Sequence, residues 1–119
     1  MKGTVIRINV DGSQLITPVK SEPSLEMMKE GIDGGYLEII PRFNWINYDG
    51  VVRKCVAFCD EDGKIKRLPL NKAATIQWDR CLQEQGLPGL LTPDGQHMID
   101  HLVGPILVVT GDKEFMEAL

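Results

Sequence analysis

A chain of 119 residues, 43% apolar and 25% charged, is long enough for one domain with its own core and too apolar for wholesale disorder. Seventeen acidic against thirteen basic side chains leave a net charge of −4, which excludes the broad basic field of a general nucleic-acid binder. No apolar run approaches the length of a membrane span, so no membrane partner is expected.

Residues Gly3 to Val10 read as a strand, with Ile6, Ile8 and Val10 on one face. This opening alternates polar and apolar side chains and lacks the long apolar centre of a secretory leader, so a cytoplasmic protein is expected. Asp11-Gly12 is a turn signal, and Leu15 to Val19 returns as a second strand. Ser21 or Ser24 caps a short helix, residues 22–30, in which Met27 and Met28 are core-filling side chains and Gly31 is the stop.

Asp33-Gly34-Gly35 turns the chain. Tyr36 to Ile40 reads as a buried strand closed by Pro41. Phe43 to Tyr48 places three aromatics in a loop or an edge strand. Asp49-Gly50 turns again into a strand from Val51 to Cys59. Asp60-Glu61-Asp62-Gly63 reads as a solvated hairpin turn into a basic strand through Ile65 and Leu68.

The best-defined unit runs from Lys64 to Gly86. Pro69 keeps Leu68 extended, Asn71 is placed as a helix N-cap, and Leu70 is poised to staple the first turn against Thr75. The helix 71–85 carries Ala74, Trp78, Cys81 and Leu82 on one stripe, and Gly86 with Pro88 ends it. Trp78 at this spacing has two readings, a core anchor and, as the second choice, a ligand-stacking ring. After a Pro/Gly-rich loop and a short turn or strand at 96–102, Gly104 to Gly111 is a continuous apolar run with Pro105 at its head. This is the expected central strand. Residues 113–119 form a last helical turn or a tail. The tally predicts a single α+β domain over residues 1–119. Its mostly antiparallel sheet of about six strands is covered by one main helix (71–85) and one short one (22–30).

Chemistry-bearing patterns are sparse. Cys55, Cys59 and Cys81 fit a reducing compartment. Cys55 and Cys59 share a strand face about 13 Å apart, too far for one tetrahedral ion, so no metal is expected. No nucleophile elbow, phosphate loop or dinucleotide fingerprint is present, and no cofactor is expected. His97, Asp100 and His101 form the one acid–base cluster in sequence, and a surface turn is its plainer reading.

Three stretches resemble, in order, a family of short uncharacterised proteins carried by bacteriophages and related mobile elements. They are GGYLEII (34–40), CDEDGKIKRLPLNKAAT (59–75) and VGPILVVTG (103–111). The resemblance spans residues 1–112 and rests on turn and core residues, so it bears on fold more than on chemistry and implies no active site. It implies a product made in a bacterial host cell.

Three functional readings follow. The first is a non-enzymatic anti-defence protein that sequesters an anionic, nucleotide-derived host immune signal. Lys64, Lys66, Arg67 and Lys72 beside the Asn71 helix start would meet the phosphates, with Arg42 or Arg67 as a clamp. Trp45 and Tyr48, with Phe43, would stack on the bases. A homo-oligomer would suit this role, because clefts between subunits enlarge a small domain's pocket. The second is an inhibitor that caps a host protein through Trp45. The third is a small enzyme built on His97, Asp100 and His101.

Overall fold

A computed structural model describes residues 2–86, Leu90–Leu91, His97–Met98 and 100–119, with the backbone alone at Leu90–Leu91 and His97–Met98. The strands are β1 (Gly3–Ile8), β2 (Gln14–Val19), β3 (Leu37–Ile39), β4 (Trp45–Tyr48), β5 (Val51–Asp60), β6 (Leu90–Leu91), β7 (His97–Met98) and β8 (Ile106–Gly111). The helices are α1 (Leu25–Gly31), α2 (Lys72–Glu84) and α3 (Lys113–Glu117). Six strands form one antiparallel sheet in the order β2-β1-β8-β5-β3, with β4 also on β5; β6 and β7 pair separately. This is the α+β architecture that the periodicities predict.

Strand β8 sits in the middle, and Ile106 to Val109 are all buried. Two-residue alternation sends these side chains to opposite faces. Ile106 and Val108 join Ile6, Ile8, Ala57, Ala74, Trp78 and Cys81 in the core beneath α2. Leu107 and Val109 join Val5, Met28, Ile32 and Phe115 in a second core beneath α1 and α3. The continuous apolar run of β8 is thus the signature of a strand covered on both faces.

Caps set the helix starts. Ser24 Oγ accepts from the Met27 N–H at 3.1 Å, so Ser24 rather than Ser21 caps α1. Asp112 Oδ1 accepts from the Phe115 N–H at 2.8 Å, and residues 113–117 are helical rather than a tail. Phe115 fills the space above Gly3 and Gly111, where a Cβ on either glycine would enter its ring.

Three expectations need correction. The segment at 36–40 is a three-residue edge strand, not a buried one. It pairs only with β5, leaving Tyr36 65% and Ile39 61% exposed. The basic strand at 64–68 does not form. Successive turns replace it, with Gly63 N–H bonding to Asp60 O, Lys66 N–H to Asp62 O and Leu68 N–H to Gly63 O. Asp60 organises them by accepting from the Asp62 N–H at 2.9 Å, and Ile65 is left exposed. Leu70 is half exposed, and its backbone bridges to Val103.

The aromatic segment is an edge strand, one of the two options its sequence leaves open. Strands β3 and β4 lie successively along one side of β5, separated by a break at Pro41 to Asn44 where Arg42 takes φ +62°. Asp49 and Gly50, both at positive φ, close the β4–β5 hairpin.

Candidate functional site

The corner that leads into α2 is built around Asn71, which is fully buried. Its side-chain oxygen accepts from the Ala74 N–H at 3.1 Å, which makes it the cap. Its amide donates to Ile8 O and Gly104 O, both at 2.9 Å, tying the helix start to β1 and to the approach to β8. Thr75 extends the knot: its hydroxyl donates to Asn71 O and accepts from the Leu102 N–H. One turn further on, Trp78 Nε1 donates to Pro41 O at 2.8 Å, which fixes the indole under the β3–β4 break.

These ties frame a hollow of about 240 Å³ between β3, α2 and residues 100–103. Ile40, Trp78 and Leu102, all buried core residues, are its apolar floor, with Ile39, Pro41 and Val103 at its edge. Glu38, Asp60, Glu61, Lys64, Asp100 and His101 supply its ionisable part. Lys64 Nζ reaches Asp100 Oδ1 at 2.6 Å, and the same oxygen accepts from the His101 N–H at 2.8 Å. Lys66 Nζ reaches Asp60 Oδ2 at 2.7 Å.

Burial works against ionisation of both aspartates. The hydrogen bonds from Lys64 and the His101 N–H outweigh it at Asp100, and those from Lys66 and the Asp62 N–H do so at Asp60. Both carboxyls therefore sit below their ordinary range. Glu38 and Glu61 are exposed and have no ion-pair partner among the described residues. Their carboxylates give the hollow a negative balance.

Of the residues singled out from the sequence for ligand binding, Lys64 lines the hollow and the others lie elsewhere. None of Arg42, Trp45, Tyr48, Lys66, Arg67, Asn71 and Lys72 lines the hollow. Arg42, Arg67 and Lys72 are exposed, and Lys66 is committed to Asp60. Asn71 is sealed inside by its own hydrogen bonds. Trp45 packs on the core beneath α2, and its carbonyl accepts from Gln77 Nε2 and Cys81 Sγ. Its indole Nε1 is buried without a hydrogen-bond partner. Tyr48 lies against Arg53, whose guanidinium is 5.3 Å from the ring centroid. Phe43 is 2% exposed, so it closes the core and does not present a stacking face.

The hollow does gather Asp100 and His101, the described part of the acid–base cluster; the His97 side chain lies outside the described residues. Asp100 is engaged by Lys64. Burial pushes the Cys59 thiol, also at the hollow, up to about 11, with Glu38 and Asp60 adding to the effect. Burial pushes Cys55 up to about 12. At neutral pH neither is a thiolate nucleophile. Among the described residues no three His, Cys, Asp or Glu side chains meet in a metal-binding arrangement, and no helix is long and apolar enough to cross a membrane.

Glu38 and Glu61 are the residues that sequence reasoning passed over. Alternation along 37–40 places Glu38 on the face of buried Ile40, which was a readable signal. Glu61 had none, because an acidic turn looks the same whether or not it borders a hollow. Comparison with family models, with curated proteins and with solved structures gave no match.

Proposed function

We propose that this protein binds a small molecule in the Trp78 hollow and does no chemistry on it. One observation carries the reading: a rigidly held apolar floor opens beside a rim of ionisable side chains. A few polar groups around an apolar pocket are the usual make-up of a ligand site. The absence of a poised acid–base pair or thiolate among the described residues favours binding over catalysis.

The volume narrows the ligand. About 240 Å³ is below the ~300 Å³ at which pockets start to enclose drug-sized molecules, so the seat suits a compact fragment. A whole cyclic oligonucleotide would have to lie mostly outside it. In the mobile-element setting that the resemblance implies, such a protein would withdraw a small host metabolite from the protein that senses it.

The test is a thermal-shift screen of the purified chain against amines, carboxylates, nucleosides, cyclic oligonucleotides and ADP-ribose derivatives, with tryptophan fluorescence as the second readout. A ligand that raises the melting temperature and perturbs Trp emission supports the reading. No shift from any compound at millimolar concentration refutes it.

A second reading, docking onto a host protein, has one observation in its favour. The far end of the β4–β5 hairpin exposes Val51 (51%) and Val52 (62%), beyond the residues of β5 that β8 covers. A Val52→Lys change that leaves the melting temperature unchanged and releases a co-purifying partner would support it. Trp45 is the wrong residue for this test, because it is part of the packing under α2.

A further inference from the structure

The charges around the hollow specify the ligand more closely than its shape does. Resting on the reading of the hollow as a ligand seat, we infer that its ligand is a small cation, an amine carried on a compact apolar body. Among the described residues Lys64 is the only lysine or arginine that lines the hollow, and Asp100 already answers it at 2.6 Å. Asp60 is answered by Lys66 from outside. Glu38 and Glu61 remain, with no countercharge among the described residues.

These two carboxylates sit beside the apolar floor because of the β3–β5 register. Glu38 lies across from Cys59, on the face that also carries Ile40. Glu61 follows the last residue of β5, and its N–H is held by Tyr36 O at 2.8 Å. The two acids therefore come from the two strands of one ladder.

An incoming carboxylate or phosphate would meet repulsion from both acids, and its nearest ammonium is already paired. An ammonium would be attracted by both, and Asp100 offers a third carboxylate if Lys64 swings aside. Lys64 is half exposed, with room in solvent for its ammonium. The indole of Trp78 and the side chains of Ile40 and Leu102 would receive the apolar body, and an aromatic wall further favours a cation.

The experiment titrates the full-length protein with three probes that share one body and differ in charge: 2-phenylethylamine, 2-phenylethanol and 3-phenylpropionate. Calorimetry is the readout, at low ionic strength. The amine is expected to bind about tenfold more tightly than the alcohol, and the acid most weakly. The Glu38→Gln, Glu61→Gln double variant should keep its melting temperature, because both side chains are exposed, and should lose the tenfold preference. Equal binding of all three, tighter binding of the acid, or a preference that survives in the variant overturns the inference and leaves the seat standing. Failure of all three to bind also overturns the inference, and the seat itself falls only if the wider thermal-shift screen is silent as well.

Discussion

The carboxylate of Asp60 lies so close over the Cα of Gly35 that a Cβ at residue 35 would collide with it. The contact joins the turn before β3 to the end of β5. It also pins Asp60 where it can accept from the Asp62 N–H and from Lys66. Gly35→Ala should therefore cost about 1–3 kcal/mol, the usual penalty for overpacking a closed site. Gly34→Ala should strain the local turn instead, since Gly34 takes φ +87° with open space around it. Urea unfolding of both variants checks this: loss of the Asp60 contribution to acid stability should appear in Gly35→Ala alone.

That acid contribution has a definite sign. Asp60, Asp100 and Asp112 all have folded-state pKa values below the ordinary 3.8. Groups depressed in this way stabilise the fold above their unfolded pKa, and the contribution is lost as pH falls through the folded value. The urea midpoint should thus be flat near neutrality and fall from about pH 5 downward. Asp60→Asn should have a lower midpoint at pH 7 and a shallower acid decline. An unchanged acid slope would show that Asp60 gains nothing from Lys66.

Asn71 serves as acceptor and donor at once, so its two isosteric halves are separable. Asn71→Ala removes a cap worth about 1 kcal/mol and strands two buried carbonyls, for a total of about 3 kcal/mol. Asn71→Asp keeps the cap acceptor but turns the amide donor into a carboxylate facing Ile8 O and Gly104 O. It should be the more damaging of the two, because a buried charge would then face two carbonyl oxygens. Chemical denaturation of both variants gives the order directly.

The Lys64–Asp100 pair should contribute little to stability. Its side chains are 55% and 36% exposed, and ion pairs in such positions typically contribute 0–1 kcal/mol. Lys64→Met should shift the melting temperature by no more than about 4 °C. A larger drop would mean that the pair holds residues 100–103 against β3.

The thiols give a test of burial. Cys59 and Cys55 hold their protons to about 11 and about 12, and Cys81 is wholly buried. Labelling with a disulfide reagent at pH 7.5 should be slow in the native state and fast in urea. Cys59, the partly exposed one, should react first. Fast native labelling of Cys55 or Cys81 would contradict the packing under α2.

What the sequence determined by itself is local. The Asn71 cap, the stripe through Trp78 and Cys81, the Asp49-Gly50 hairpin and the doubly covered β8 all follow from neighbours within a turn or a strand. Their signals are periodicity and backbone preference, which need no knowledge of distant residues. The tertiary structure alone decided the rest. Lys64 and Lys66 look alike in the sequence, yet one meets Asp100 across 36 positions and the other folds back on Asp60 six positions away. The basic strand expected at 64–68 became turns for the same reason, since a single buried carboxylate outbid the extended backbone. Which charges cancel and which remain open around the Trp78 hollow depends on three chain segments, near residues 38, 60 and 100, brought together by the fold. No spacing along the chain encodes that pairing.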